Sequence, residues 1–402
     1  MPRPVHEIAD VFRRYGCSFQ ASYARFLGPL QLLVLKALIA CRTSQLGGHL
    51  LECNACGHRQ QAYNSCHNRH CPKCQAGLRG KWFEERERDL LPVEYFHVVF
   101  TLPSELGALT LQNKAVIYNL LFRATAETLT EVAATWKDLK AKIGFFAILH
   151  TWGQKLDLHP HLHCVVPGGG ISLDGTRWVS CPRGFLMPVK MLSRKFRGKF
   201  LALLKEAHQR GELTLAGSLA AYRSQVAFNH WLSPLYGKEW VVYAKPPWNG
   251  PEQVLKYLAR YTHRVAIANE RLLSIDGGQV TFSYKDYRRG HRRRRLTLSA
   301  TEFIRRFMMH VLPHGFVRIR YYGFLANAQR QQQLKKIRQL LNVPDPESSD
   351  QQADADLLEP EQDQDPEPDP CPRCQQGLME LIERVPRPTV PQILELPLMV
   401  PM

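Results

Sequence analysis

The stretch Leu158-His159-Pro160-His161-Leu162-His163-Cys164-Val165-Val166 combines the pattern of a core strand with the pattern of a metal site. Residues 161–166 have the length and the apolar, β-branched content of a strand. Side chains of a strand alternate between its two faces, so His161 and His163 project together while Leu162 points into the core. Two imidazoles on one face can hold one ion. The stretch therefore predicts a strand that belongs to the core and also carries ligands.

Sequence on either side of this strand predicts a mixed fold. Strand-like runs occur at residues 95–102 and 145–152, and the second should form a hairpin with the histidine strand. Helical spacing of apolar residues is found at 29–46, 114–142, 188–210, 251–264 and 301–311. Because strands and helices do not alternate regularly, we expect an α+β protein with a largely antiparallel sheet and flanking helices.

The charge of the chain indicates an anionic partner. Among the 402 residues, 53 are Lys or Arg and 36 are Asp or Glu, a formal net charge of +17. Residues 345–370 hold eleven acids and no Lys or Arg, which leaves +28 on the other 376 residues. A body this basic attracts polyanions, of which nucleic acid is the commonest, although a solvated basic surface would have the same composition.

Composition also limits the class and the compartment. The chain is 45% hydrophobic and 22% charged, which excludes a wholly disordered or fibrous protein. Near the N-terminus, the apolar run 32–41 is interrupted by Lys36 and is too short to span a membrane, and residues 1–20 lack a signal-peptide pattern. We therefore expect a cytoplasmic protein without membrane contact, and cysteines that bind metal rather than form disulfides.

Three regions are expected along the chain. Residues 1–90 would form an N-terminal helical and zinc-binding domain that contacts DNA, and residues 91–340 would form the main domain. Residues 341–402 would be a largely disordered acidic tail with a lone cysteine pair, because their Pro, Asp, Glu and Gln content cannot build a core.

The cysteine spacing predicts a structural zinc ion. Cys53 and Cys56 are followed, after fourteen residues, by Cys71 and Cys74, the spacing of a four-thiolate zinc ribbon. Nearby residues could replace one of these ligands: Cys66, His49, His58, His67 and His70. The C-terminal pair, Cys371 and Cys374, has no second pair after it and could bind metal only with ligands from elsewhere in the chain.

A third ligand for the histidine pair should come from a neighbouring segment. Gln154 lies near the end of the preceding strand, seven residues before His161, where a hairpin would bring it alongside. Its neutral oxygen suits Mg²⁺ or Mn²⁺, ions that also bind phosphate. His159 is the competing candidate.

Two tyrosines complete a possible reaction centre. Tyr257 and Tyr261 are four residues apart in a helical pattern, so they would share a face. An aromatic stripe of this kind is common in cores, but beside a hard metal ion two phenols could attack a phosphodiester. Basic residues that would contact the DNA lie beside the tyrosines and in the basic turn 288–295: Lys256, Arg260, Arg264, Arg292 and Arg293.

This combination of motifs resembles one family. The motifs are Gly47-Gly48-His49-Leu50, the block 64–74 that ends in Cys71-Pro72-Lys73-Cys74, Thr151-Trp152-Gly153-Gln154 before the histidine strand, and the tyrosine block 257–264. In this order they resemble rolling-circle transposases of the His-hydrophobic-His endonuclease superfamily, of the insertion-sequence family ninety-one type with a transposase zinc-binding domain. The resemblance runs from about residue 30 to 327.

The resemblance implies a fold, a reaction and a set of residue roles. The sheet would be ferredoxin-like, with the histidine pair on a central strand. His161, His163 and Gln154 would hold the catalytic ion, and Tyr257 and Tyr261 would nick single-stranded DNA and keep a 5′-phosphotyrosine. The partners would be single-stranded DNA at the element ends and target DNA.

Two other functions remain open on the sequence. A replication initiator or relaxase would use the same chemistry at an origin, although the zinc block and the lack of a Walker-type loop argue against it. A non-catalytic zinc-ribbon protein that only binds nucleic acid would need no more than the basic body and the arginine-rich turn.

Overall fold

The computed structural model describes residues 5–75, 88–245, 266–287, 290–344 and 369–388. Its α-helices are α1 (Ile8–Tyr23), α2 (Pro29–Ala40), α3 (Gly107–Gln112), α4 (Lys114–Thr135), α5 (Val189–Gln209), α6 (Gln225–Gly237), α7 (Ala300–Met309) and α8 (Arg330–Leu340). None of these described helices is long and apolar enough to cross a membrane.

The strands of the described ranges form four small sheets. They are β1 (Gly48–Cys53), β2 (Arg59–Tyr63), β3 (Tyr95–Thr101), β4 (Ala141–Lys142), β5 (Phe145–Trp152), β6 (Leu158–Pro167), β7 (Gly169–Ser172), β8 (Trp178–Ser180), β9 (Val242–Lys245), β10 (Leu272–Asp276), β11 (Gln279–Asp286), β12 (Arg292–Ser299), β13 (Ile319–Tyr322) and β14 (Met379–Val385). Neighbouring strands pair antiparallel throughout. The expected α+β class with antiparallel sheets is confirmed.

The largest sheet has five strands in the order β13-β5-β6-β3-β9, so the histidine strand β6 occupies its centre. Leu162, Cys164 and Val166 of β6 are fully buried on one face, in a core shared with α4, α5 and α6. Val165 lies on the other face, in a smaller core to which α8 contributes Leu334. His161 and His163 have the same parity as Val165 and therefore share its face. The alternation predicted for this strand is confirmed.

A second core joins the N-terminus to a distant part of the chain. Apolar residues of α1 and α2, among them Phe12 and Leu38, are buried together with residues of the β10-β11-β12 sheet and of α7. Phe12 packs edge to face on Phe307, with ring centroids 5.2 Å apart. The N-terminal helices thus share a core with residues 266–311.

Eight of the eleven cysteines form two groups, and the predicted grouping is wrong. Cys41, Cys66, Cys71 and Cys74 have their ligand atoms within 4.8 Å of one another, and so do Cys53, Cys56, Cys371 and Cys374. Sulfur–sulfur distances are 3.5–3.7 Å in the first group and 3.7 Å in the second. A tetrahedral zinc ion with Zn–S bonds of about 2.3 Å requires sulfurs about 3.8 Å apart, so both groups fit one ion each.

The β1–β2 hairpin explains why Cys53 and Cys71 do not share an ion. The base of the hairpin is closed by a hydrogen bond from Asn64 N to Gly47 O, close to Cys66, whereas Cys53 lies at its tip. Six strand residues separate base from tip, about 17–20 Å. Cys41, the residue at the C-terminal end of α2, completes the group of Cys66, Cys71 and Cys74 near the base of the hairpin. The sequence did not indicate it as a ligand, because it continues the apolar pattern of the helix.

The C-terminal cysteine pair is part of an ordered segment. Strand β14 pairs antiparallel with β1, with Met379 opposite Cys53, and this brings Cys371 and Cys374 to the hairpin tip. The expectation of a largely disordered tail is therefore wrong for residues 369–388, while residues 345–368 and 389–402 lie outside the described ranges. The lone pair is the second half of a zinc site.

Replacing Cys371 and Cys374 together with Ser should reduce the zinc content from two ions per chain to one, because two remaining thiolates cannot close a tetrahedral site. The melting temperature should also fall, since this site anchors β14. Zinc can be counted by elemental mass spectrometry. Cys17→Ser, which changes an exposed thiol outside both groups, is the control. Retention of two ions by the double variant would contradict the assignment.

Candidate metal centre

Three histidines converge on one face of the central sheet. His161 and His163 lie on β6, and His150 lies on β5 directly opposite His161 in the strand pairing. One ring nitrogen of each lies within 4.8 Å of the others, and the Nε2 atoms of His161 and His163 are 3.1 Å apart. Three nitrogen donors this close can coordinate one divalent ion, because metal–nitrogen bonds are about 2.0–2.1 Å long.

Hydrogen bonds orient His161 and His163 of β6. His161 Nδ1 lies 2.6 Å from the carbonyl oxygen of His159, so Nδ1 donates and Nε2 carries the lone pair. His163 Nδ1 lies 2.7 Å from Nε2 of His97 on β3, and the two rings stack with centroids 4.9 Å apart. Partners of this kind fix the tautomer of a metal-ligating histidine.

Burial keeps His161 and His97 in the neutral form. Desolvation lowers the pKa of His161 to about 3 and the pKa of His97 to about 4, well below the ordinary value near 6.5. A neutral imidazole is the form that binds metal and also the form that accepts a hydrogen bond. The ring of Trp152 stacks on the ring of His150 with centroids 4.6 Å apart, and this contact limits the rotation of His150.

His150 occupies the place expected of Gln154. The pairing of β5 with β6 shifts after His150, and Gln154 lies in the turn beyond the strand. There its amide oxygen accepts a hydrogen bond from the backbone N–H of Lys285 at 3.3 Å, and its carbonyl oxygen accepts one from Arg271. His150 lies within the predicted strand 145–152, but only the register of β5 on β6 places it opposite His161.

The group of Cys41, Cys66, Cys71 and Cys74 is joined by hydrogen bonds to the segment that precedes β13. Arg69 donates a hydrogen bond to the carbonyl oxygen of Phe316 at 2.7 Å, and the backbone N–H of Leu312 donates to His70 Nε2 at 3.1 Å. Burial lowers the pKa of His70 to about 3, so its ring is a neutral acceptor. Because His70 adjoins Cys71, a zinc ion bound by the Cys41, Cys66, Cys71 and Cys74 group would help to position the segment that leads into β13.

The remaining predicted site residues fall into two sets. The tyrosine pair and its basic neighbours lie outside the described residues: Tyr257, Tyr261, Lys256, Arg260 and Arg264. Arg292 and Arg293 are described, and both are exposed on β12. As consecutive residues of a strand they point to opposite faces of the β10-β11-β12 sheet.

Replacing His97 with Leu should weaken Mn²⁺ binding about 10- to 100-fold, because His163 loses the acceptor that holds its tautomer. Isothermal titration of the zinc-loaded protein measures this affinity. His314→Leu removes an exposed histidine elsewhere and should have no effect. Equal Mn²⁺ affinity in the His97 variant and the wild type would show that the contact does not support the site.

Two family models match this chain. Residues 144–333 match the Y2_Tnp model, described as "Putative transposase", and residues 11–102 match Zn_Tnp_IS91, a transposase zinc-binding domain. Two solved structures of the conjugative relaxase TrwC with DNA are 16% and 19% identical and cover 45% of this chain and 68% and 67% of theirs. Their TM-score of 0.23 is too low to support a structural argument.

Transposases resemble the chain over most of its length. The protein named "Putative transposase y4qJ" of Sinorhizobium fredii (strain NBRC 101917 / NGR234) is 52% identical over 384 residues, 95% of this chain and 96% of that protein. The transposase for insertion sequence element IS801 of Pseudomonas savastanoi pv. phaseolicola is 27% identical over 351 residues, 86% of this chain and 82% of that protein. The chain therefore belongs to the IS91 family of transposases, with an N-terminal zinc-binding domain.

Proposed function

We propose that this transposase cuts and rejoins single strands of DNA through phosphotyrosine intermediates, with Tyr257 and Tyr261 as the nucleophiles. The observation that carries the proposal is the convergence of His150, His161 and His163 on one face of the central sheet. Three buried or half-buried imidazoles bring one ring nitrogen each to within 4.8 Å of the others, which is the arrangement of donors around one divalent ion. A site of this kind suits a reaction on phosphate.

The reaction exchanges one phosphate ester for another. A tyrosine oxygen attacks the phosphorus, the bond to the 3′ oxygen breaks, and the 5′ phosphate stays on the tyrosine while a 3′-hydroxyl leaves. Attack by a 3′-hydroxyl on that ester rejoins a strand and returns the phenol. Since an esterified tyrosine cannot attack again, a second tyrosine would let the protein cut a second strand before the first is released.

The histidine cluster would hold the ion for this reaction. A divalent ion at His150, His161 and His163 would polarise a phosphoryl oxygen and offset the charge that develops on it. Mg²⁺ prefers oxygen ligands, whereas imidazole nitrogens suit transition ions. Of the two ions expected from the sequence, Mn²⁺ therefore fits these donors better than Mg²⁺.

Two alternative functions would give different experimental results. A replication initiator or relaxase would form the same adduct but would act at an origin and would not join element ends to target DNA. A non-catalytic zinc-ribbon protein would bind DNA without forming an adduct, and it would have no need for the oriented, buried imidazoles of β5 and β6.

His150→Ala should abolish metal-dependent nicking, as should His161→Ala and His163→Ala, because each removes one of three nitrogen donors. Gln154→Ala should reduce nicking only mildly, since its oxygen is bonded to Lys285 N rather than directed at the histidines. Cleavage of an end-labelled single-stranded oligonucleotide with Mn²⁺ measures both. The reverse result, an inactive Gln154 variant and an active His150 variant, would restore Gln154 as the third ligand.

Tyr257→Phe and Tyr261→Phe should each block complete transposition, and the double variant should form no covalent protein–DNA adduct on a denaturing gel. Phenylalanine keeps the ring and removes only the attacking oxygen. Tyr236→Phe, a change to a half-exposed tyrosine on α6, is the control. An adduct that survives in the double variant would place the nucleophile elsewhere in the chain.

A further inference from the structure

The β10-β11-β12 sheet has one face turned to its core and one turned to solvent. Val280, Phe282 and Tyr284 of β11 are buried on the inner face. The residues between them have the opposite parity and point outward. Antiparallel partners share a face, so the strand pairing assigns every residue of β12 to one side or the other.

The outer face is polar and basic over most of its length. Lys285 pairs with Arg293, and Ser283 pairs with Arg295; the three cations are exposed. The next row across the sheet holds hydroxyl groups, where Thr281 and Thr297 are hydrogen-bonded at 2.9 Å. On the same face, the carboxylate of Asp276 lies at the opposite end of the strands, where Asp276 pairs with Gln279. It is about 20 Å from Lys285 along the strand, too far to pair with the exposed cations.

The inner-facing arginines of the same strand have an acidic neighbour. Arg292 lies directly opposite Asp286 in the pairing, and Arg294 forms an ion pair with Asp286 at 3.7 Å. Four consecutive arginines are therefore sorted by strand parity into two sets. All four are exposed, but Arg293 and Arg295 lie on the outer face beside Lys285, while Arg292 and Arg294 lie on the inner face near Asp286.

An exposed aromatic ring lies at the end of the basic rows. Tyr287 directly follows β11, 57% of it is exposed, and the Lys285 ammonium lies 5.7 Å from its ring centroid. Cations for phosphates together with an exposed ring for a base are the two parts of a surface that binds single strands. A duplex would use the cations but offers no unstacked base to the ring.

The sheet is attached to the turn that joins the histidine strands. The backbone N–H of Lys285 donates to Gln154, four residues after His150, and the ammonium of Lys155 lies 5.1 Å from the ring centroid of Tyr284. A strand bound on the outer face is thus held by an element in direct contact with the β5–β6 turn.

We infer that the outer face of the β10-β11-β12 sheet is a binding surface for single-stranded DNA, formed by Lys285, Arg293, Arg295 and Tyr287. This inference rests on the proposed single-strand chemistry, because it names the surface that holds the strand beside the histidine face. It also distinguishes Arg293 from Arg292, which the sequence treats as equivalent.

The test compares two double variants of one strand. Arg293→Ala with Arg295→Ala should weaken binding of a fluorescent single-stranded oligonucleotide and should flatten the plot of log affinity against log salt by about 1.4, or about 0.7 per lost phosphate contact. Arg292→Ala with Arg294→Ala removes the same charge from the other face and should change both quantities much less. Fluorescence anisotropy over a salt series gives both, and circular dichroism checks folding.

A single variant tests the ring. Tyr287→Ala should reduce affinity for the single strand about tenfold and affinity for a duplex much less, whereas Tyr287→Phe should retain binding. Equal losses for the two arginine pairs would overturn the assignment to one face. A loss confined to duplex DNA would assign the surface to duplex instead and would equally overturn the inference.

The measurement is separate from the test of the reaction. Binding is recorded without Mn²⁺, so absence of a covalent adduct in the histidine and tyrosine experiments would refute the proposed chemistry and leave these affinities intact. Conversely, normal adduct formation by a chain whose Arg293 and Arg295 pair contributes nothing to binding would refute this inference alone.

Discussion

The alternation of side chains along β6 is the constraint on which the rest of the structure depends. Leu162, Cys164 and Val166 must be buried against the helices, because exposing them would forfeit the apolar burial that stabilises the largest core. His161 and His163 must then lie on the opposite face of the sheet. A shift of β6 by one residue would place both imidazoles among apolar helices and remove Leu162, Cys164 and Val166 from the largest core, so apolar packing fixes the position of the metal ligands.

The two cysteine groups connect parts of the chain that are far apart in the sequence. Cys53 and Cys374 are separated by 321 residues, yet their sulfurs lie 3.7 Å apart. The other group holds α2 against the segment whose Arg69 and His70 support residues 312–316. A zinc ion at one group would fasten the C-terminal segment to the β1–β2 hairpin, and one at the other would fasten α2 to the segment that supports residues 312–316.

The sequence predicts what depends on local periodicity and misses what depends on distant pairing. The α+β class, the alternation of the histidine strand and a zinc-binding segment follow from spacing within short stretches, whereas the central place of that strand followed only from the family resemblance. The third histidine does not, because its place opposite His161 is set by the register of β5 on β6 and by the irregularity after it. The cysteine grouping fails for a similar reason: Cys41 resembles a core residue of α2, and the C-terminal pair finds its partners only after β14 pairs with β1.

His150, His161 and His163 are expected to bind one metal ion on the central sheet. Anomalous diffraction from crystals of the zinc-loaded protein grown with Mn²⁺ tests it most directly, because zinc and manganese can be told apart by their absorption edges. A manganese peak is expected within about 2.3 Å of a ring nitrogen of each histidine, with zinc peaks only at the two cysteine groups. A manganese peak coordinated by Gln154 without His150, or none near β6, would contradict it.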